Sequence, residues 1–171
     1  PEAISALYPL EIRHFYEIHE WRNATVVFKG VHAPEWDELM TVLSEFRLLR
    51  SQLIRGGGNK SKIAGKLDSH LAEFGWKEKL FDTKITVDQT IYETPTHKVD
   101  CFKNRVACEI EWNNKDPFFD RDLNNFRLLF DLKVIDIGVI VTRSDALQSI
   151  FKQLGRAGSF GASTTHMSKS P

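Results

Sequence analysis

The chain has 171 residues, 42% of them hydrophobic, which is enough for one domain with a sizeable buried core. No apolar run approaches the roughly 20 residues of a membrane span, and no signal peptide precedes the two cysteines, so we expect a cytoplasmic protein with reduced thiols and no membrane partner. The 23 basic and 23 acidic residues cancel, which excludes a uniformly basic nucleic-acid-coating protein but allows a local basic surface beside an acidic site.

The first half of the chain is predicted to be mainly helical. Residues 10–19 fit a strand by alternation and a helix by aromatic density, so they remain unassigned, while residues 26–29 predict a short strand. Apolar residues then recur at helical spacing through 34–53, up to three glycines at 56–58. A second amphipathic helix is predicted over 61–74, where a following glycine ends it.

The sheet is predicted to come mainly from the second half. Residues 85–87 and 91–93 fit short strands, and residues 99–102 and 106–112 fit a hairpin around the turn at 103–105. Two-residue alternation within such strands assigns each side chain to one face of the sheet or the other. The hairpin therefore predicts which of its polar side chains lie together.

The remaining elements complete a mixed architecture. A third helix is predicted over 121–132, a central strand buried on both faces over 135–142, and a fourth helix over 145–154 before a flexible polar tail. Four apolar residues of the third helix are expected to face the core: Leu123, Phe126, Leu129 and Phe130. The element order predicts an α+β fold, a central mixed sheet flanked by helices, with residues 36–53 free to pair with a second subunit.

Three acidic side chains are expected to meet on the predicted hairpin. Alternation places Glu109 and Glu111 on one face with Ala107, and the antiparallel partner strand brings Asp100 beside them. Carboxylates crowded in a partly buried strand raise one another's pKa values and need a cation to remain ionised. Oxygen-only ligands favour a hard ion such as Mg²⁺, and the chemistry typical of such a site is metal-assisted phosphodiester hydrolysis.

A simpler interpretation applies to the same residues. Two glutamates alternating on a strand are typical of the solvated face of an edge strand. The residues that follow, 113–117, are rich in turn formers and are consistent with an ordinary loop. Spacing alone leaves both interpretations open.

The arrangement of Asp100, eight residues, Glu109, one residue and Glu111 resembles the PD-(D/E)xK nuclease core, with glutamate in place of the usual final lysine. Restriction endonucleases of the BamHI and BglII types carry glutamate or glutamine at that place. The segment LDSHLAEFGWKEK resembles the one that precedes the catalytic hairpin in BglII/BstYI-like restriction endonucleases, and FGASTTHMSK resembles their recognition loop.

The resemblance implies a type II restriction endonuclease with the PD-(D/E)xK fold, forming a single nuclease domain over 1–171 that lacks a C-terminal strand. It implies a homodimer that cuts both strands of double-stranded DNA at a short palindrome with Mg²⁺, and a cognate DNA methyltransferase as cellular partner. Similar members read GATC-centred sites and leave 5′ overhangs with 5′-phosphate ends. The implied catalytic residues are Asp100, Glu109, Glu111 and Glu78, with Asp100 and Glu109 as metal ligands.

Several polar residues are candidates for DNA contacts. Asparagine forms paired hydrogen bonds with adenine in the major groove, and hydroxyl, imidazole and basic side chains contact bases or phosphates. The candidates are Asn113, Asn114, Lys115, Arg127, Ser163, Thr164, Thr165 and His166. An ordinary turn, a surface arginine and a solvated tail would contain the same residues. A local excess of basic residues over acidic ones after residue 142 favours DNA binding despite the zero net charge.

Two further functions remain open. A repair or junction-resolving nuclease would use the same core, and a noncatalytic DNA-binding module would carry the acids as surface groups. The cleavage pattern distinguishes restriction from repair, and cleavage itself distinguishes both from the noncatalytic module.

Overall fold

The computed structural model describes residues 2–46, 62–93, 97–111 and 116–144, together with residue 153. The helices are α1 (Glu2–Ser5), α2 (Leu10–Phe15), α3 (Ala24–Val31), α4 (Ala33–Glu45), α5 (Lys62–Glu73) and α6 (Asp116–Asp131). The strands are β1 (Lys77–Phe81), β2 (Lys84–Val87), β3 (Thr90–Glu93), β4 (His97–Lys103), β5 (Val106–Glu111) and β6 (Ile137–Thr142). The predicted helix over 145–154 and the polar tail lie outside the described residues, apart from residue 153.

The N-terminal segment is helical, and the strand predicted over 26–29 is wrong. The β-branched residues of α3 suggested a strand, but its buried side chains are Thr25 and Phe28, which are three residues apart as on a helix. The Phe28 ring packs edge-on against Trp36 of α4, with ring centroids 5.4 Å apart. This contact attaches α3 to the main core.

Helix α4 begins with a proline in its first turn and ends at Glu45, where Phe46 is extended. Its apolar side chains, Trp36, Leu39, Met40, Val42 and Leu43, are buried in the chain's own core. The apolar face of this helix therefore packs within the chain, and pairing of the helix with a second subunit stays a prediction for its exposed face. The predicted continuation over 47–53 lies outside the described residues.

The main sheet has the strand order β1-β4-β5-β6. Both β1 and β5 run antiparallel to β4, and β6 runs parallel to β5, so the predicted mixed sheet is confirmed. Strand β1 was not predicted, because its sequence KEKLF is highly charged and four of its five residues are exposed. Strand β6 was predicted as central, but within the described residues it is an edge strand and only Ile137 is fully buried.

Strands β2 and β3 form a separate two-stranded hairpin. Asp88 and Gln89 both have positive φ, as a two-residue primed turn requires. All eight strand residues are exposed. Because Phe81 of β1 pairs directly with His97 of β4, the hairpin is an excursion from the connection between two neighbouring strands of the main sheet.

Two core clusters cover the two faces of the main sheet. On one face Cys108 and Ile110 pack with the helical layer of α2 to α5. On the other, Ala107 packs with Phe126 and Leu129 of α6. The predicted alternation along β5 is thus confirmed. Helix α6 covers the face to which Glu109 and Glu111 were assigned.

Helix α6 starts five residues before the predicted helix, and only half of its predicted core face is buried. Phe126 and Leu129 are buried, whereas Leu123 and Phe130 are exposed, so the inward placement predicted for these two is wrong. The Phe126 ring lies on Gly138 of β6, where an added Cβ would stand 2.5 Å from ring carbon Cδ2. The absence of a side chain at 138 sets how closely α6 approaches the sheet.

No helix in the described part of the chain combines the length and hydropathy needed to span a membrane.

Candidate active site

A tight turn between β4 and β5 fixes the register of the site. Asn104 and Arg105 both have positive φ, 45° and 68°, the backbone of a two-residue primed hairpin loop. Cys101 consequently pairs with Cys108. Asp100, the residue before Cys101 in β4, donates its backbone N–H to Glu109 Oε1 at 3.3 Å. The predicted meeting of Asp100 and Glu109 is therefore observed.

A network of ion pairs around Asp136, the residue before β6, holds this turn against the helical layer. Arg105 donates two hydrogen bonds to the carboxylate of Asp136, at 2.9 and 2.8 Å. His32 Nε2 lies 2.9 Å from the same carboxylate. The hydrogen bond from Arg105, followed by that from His32, lowers the pKa of Asp136 to about 2. The hairpin carrying the acids is thereby anchored at its closed end.

The strand that carries Asp100 is irregular next to that residue. Lys77 pairs with Phe102 and Lys79 with Val99, so two steps along β1 match three along β4, and the register shifts at 100–101. Such β-bulges redirect side chains and are common beside active sites.

Glu109 and Glu111 are buried, with only 5% and 3% of their surface exposed. Strand β5 lies between β4 and β6, so it is an interior strand. The alternative interpretation, in which the glutamates form the solvated face of an edge strand, is therefore wrong. Buried carboxylates need compensation from neighbouring groups or a bound cation.

Burial and the neighbouring acids favour the protonated form of the two glutamates in the cation-free protein. Burial, followed by the charge and hydrogen bonding of Asp100, raises the pKa of Glu109 to about 9. Burial, followed by hydrogen bonding with Asp122 and the charge of Asp122, raises the pKa of Glu111 to about 8, although Arg121 opposes the shift. A divalent cation would relieve this repulsion by replacing the protons.

Asp122 is a site residue that sequence analysis missed. It lies on α6 and is 2% exposed, and its Oδ2 atom is buried with no hydrogen-bond partner in the structure. Arg121 holds the other oxygen, Oδ1, and lies 3.6 Å from Glu111 Oε1. The signal was present in the sequence, because 122 precedes the buried Phe126 and Leu129 by four and seven residues, which is a helical core stripe.

Glu78 is linked to the acids through a lysine. It lies exposed on β1, where Lys98 Nζ approaches its Oε2 at 2.8 Å and Asp100 Oδ1 at 3.9 Å. This places Glu78 at the rim of the site, outside the buried pair. Its role as an additional acidic residue stays a prediction.

The acids divide into two pairs, Asp100 with Glu109 and Glu111 with Asp122. Across the described segments, no three aspartate, glutamate, histidine or cysteine side chains already stand in a metal-binding arrangement. The donor set nevertheless suits an oxygen-liganded ion such as Mg²⁺, and the unpartnered Asp122 Oδ2 is an oxygen available to it. A cation held by acids of both pairs would require movements that bring the two pairs together.

The two cysteines lie on the other face of the sheet from the glutamates. Both are free and buried, and Cys101 Sγ lies 3.3 Å from Asp68 Oδ1. Burial raises the pKa of both thiols, which keeps them protonated. A thiolate nucleophile is not supported.

Of the residues proposed to contact DNA, the structure describes Arg127, which is exposed on α6. The others, Asn113, Asn114, Lys115, Ser163, Thr164, Thr165 and His166, lie outside the described residues. The basic surface expected after residue 142 loses Arg143, because that side chain is buried.

Comparison with known proteins decides the family. The sequence profile described as restriction endonuclease BglII/BglIII matches residues 16–170, which include all four acids of the site. The chain belongs to this family. It is accordingly a type II restriction endonuclease, a site-specific hydrolase that acts on DNA, and the predicted family and fold class are confirmed. A comparison with curated proteins found no match.

Proposed function

We propose that this restriction endonuclease hydrolyses phosphodiester bonds of double-stranded DNA with Mg²⁺ held by Asp100 and Glu109, and leaves 5′-phosphate ends. The observation that carries the proposal is the burial of Glu109 and Glu111 on an interior strand against a third acid, Asp100. Buried, mutually repelling carboxylates in this family's motif positions are the donor set that a hard divalent cation requires.

Each acid has a distinct part in the proposed reaction. The bulged strand and the hairpin register bring Asp100 beside Glu109, which supports these two residues as the cation ligands. When bound, Mg²⁺ polarises the phosphoryl group and stabilises the leaving 3′ oxygen. Glu111 would lose its proton beside a cation, and its carboxylate would then accept a proton from the attacking water. Glu78, at the rim, holds Lys98 beside Asp100.

The finer features of the reaction follow from family resemblance. We propose a homodimer, because a two-fold assembly matches a palindrome, and a GATC-centred recognition site protected by a cognate methyltransferase. Asn113, Asn114 and Lys115 begin two residues after the acid-bearing strand ends at Glu111, which supports them as base or phosphate contacts. Arg127, exposed on α6, and the segment from Ser163 to His166 complete the proposed DNA surface.

The test is cleavage of plasmid DNA in Mg²⁺ by the wild type and by Glu111→Ala. We expect discrete bands with the wild type, and a loss of cutting of at least about 100-fold in the variant, with DNA affinity little changed. Glu73→Ala, an exposed acid on α5, is the control and should cut normally. Strong residual cutting by Glu111→Ala would refute the role assigned to that residue.

Sequencing the cut ends tests the recognition site and distinguishes the alternatives. Ligatable 5′-phosphate ends at one repeated palindrome support the proposal. Nicking that depends on DNA structure instead of sequence supports a repair or junction-resolving nuclease. Absence of cleavage, together with unchanged DNA affinity after Glu109→Ala, supports a noncatalytic module.

A further inference from the structure

Arg121 is the exposed partner of two buried acids of the cluster. Its side chain is 55% exposed, whereas the two carboxylates that it contacts, Glu111 and Asp122, are almost completely buried. These two acids come from different elements, β5 and α6. Arg121 therefore extends from the buried acids to the solvent.

The contact between Arg121 and Asp122 uses the arginine incompletely. Both Nε and Nη2 donate to the same oxygen, Oδ1, at 3.1 and 3.0 Å, and Oδ2 is left buried without a hydrogen bond. A guanidinium fork normally matches two oxygens of a carboxylate or a phosphate. Asp122 Oδ2 thus receives no hydrogen bond from Arg121, and the two donors that share Oδ1 would match the two oxygens of a phosphate better.

We propose that Arg121 is an exchangeable counter-ion of the nuclease site. In the free protein it neutralises Asp122 and Glu111, and on complex formation the divalent cation takes its place beside these two carboxylates while Arg121 moves to a DNA phosphate. This inference rests on the proposed function and adds Asp122 as a cation-facing residue and Arg121 as a phosphate-binding one.

Electrostatics favours both parts of the exchange, the binding of the cation by the acids and the release of Arg121 from them. Three acids, Asp122, Glu111 and Glu109, act on Arg121. A divalent cation beside them would repel the guanidinium and satisfy Asp122 Oδ2, and the half-exposed arginine has room to turn toward solvent. Cation binding and phosphate binding by Arg121 therefore strengthen each other.

The first test measures Mg²⁺ binding without DNA by titration calorimetry. Arg121→Gln should bind Mg²⁺ about two- to fivefold more tightly than the wild type, because the competing ion pair is gone. Asp122→Asn should bind it more weakly. Arg13→Gln, an exposed arginine on α2, is the control and should match the wild type. Unchanged or weaker Mg²⁺ binding by Arg121→Gln would overturn the inference.

The second test measures DNA affinity against salt concentration, with Ca²⁺ or with EDTA, on a short duplex taken from the mapped cleavage point. Ca²⁺ accepts the same oxygen ligands as Mg²⁺. With Ca²⁺, Arg121→Gln should lower the salt slope by about 1, the loss of one phosphate contact, and in EDTA it should change nothing. Arg121→Lys should retain the slope, because it keeps the charge.

The outcomes separate this inference from the proposed function. An equal loss of slope with and without Ca²⁺ means a permanent phosphate contact, and no loss in either condition means a surface ion pair; each contradicts the exchange alone. If the wild type binds neither Mg²⁺ nor DNA, the proposed function fails as well. Thermal unfolding of each variant confirms that the fold is retained.

Discussion

Glu109 and Glu111 show how neighbours on the same strand acquire different chemistry. Both are buried on the α6 side of β5, but Glu109 meets Asp100 across the hairpin while Glu111 meets Asp122 and Arg121 from the helix. Because these acids interact with one another, the pKa values of the site describe the cluster as a whole and not one residue. Both pKa values are raised, so the cation-free protein stores protons at neutral pH.

This proton storage predicts that the cation-free protein becomes less stable as pH rises. Between pH 4.5, the ordinary value for glutamate, and about pH 8 to 9, the folded protein holds protons that the unfolded chain has released. The free energy of unfolding should fall by about 1.4 kcal/mol per pH unit for each such proton. Urea denaturation in EDTA at several pH values measures the slope.

Replacing Glu109 supplies the comparison for that slope. Glu109→Gln keeps the shape and remains uncharged, so its stability should exceed that of the wild type at pH 8.5 and fall less steeply. Glu73→Gln, an exposed acid on α5, should follow the wild-type slope. Parallel curves for wild type and Glu109→Gln would mean that Glu109 is already ionised in the folded state.

Cation binding is expected to depend on pH with the opposite sign. Mg²⁺ must displace the proton of Glu109, so its affinity should rise up to about tenfold per pH unit below pH 9 and level off above it. Calorimetry in buffers of different ionisation enthalpy should detect the released proton. A pH-independent affinity with no proton release would place the cation away from Glu109.

At the scale of elements, the fit between α6 and the sheet depends on residue size. Gly138 pairs with Ala107 across β5 and β6, and together they leave the depression that the Phe126 ring fills. Because Asp122 lies one turn before Phe126, this contact also fixes the height of Asp122 above the glutamates.

We therefore expect Gly138→Ala to destabilise the protein by about 1–3 kcal/mol, since the added Cβ forces Phe126 to move. Gly30→Ala is the matched control, because that helical glycine has open space around it, and alanine there should stabilise by about 0.5–1 kcal/mol. Urea denaturation measures both changes. Equal effects would show that the Phe126 contact does not limit packing.

The sequence predicted those elements whose pattern reflects local chemistry. The β4–β5 hairpin follows from alternation and a short polar turn, and the assignment of Glu109 and Glu111 to one face follows from the period of two. Helix α3 and strand β1 were not predicted from the sequence. The valines of α3 favour a strand and the charged residues of β1 disfavour one, but packing imposes the opposite structure in each case. Asp122 was missed because its contact with Glu111 joins two different elements, β5 and α6.

At the scale of the whole molecule, the β2–β3 hairpin stands apart from the catalytic sheet. Its exposed apolar residues, Ile85, Val87, Ile91 and Tyr92, leave it little burial of its own. Residues 84–93 carry one lysine against two acids, so DNA phosphates do not attract this segment.

Replacing residues 84–93 by Gly-Ser should leave the sheet and the cation site intact. Because β1 and β4 pair without the hairpin, the free energy of unfolding should change by less than about 1 kcal/mol, the typical effect of loop length. Mg²⁺ affinity should equal that of the full chain. A large loss of stability would mean that the hairpin packs on the sheet more than its exposure indicates.

A practical consequence follows from the pairing of Phe81 with His97 at the base of this excursion. Insertions, deletions or replacements within the β2–β3 hairpin should leave the register between β1 and β4 unchanged. A fluorescent label attached at the turn of this hairpin, on Asp88 or Gln89, would report binding of other molecules to the enzyme without disturbing DNA cleavage.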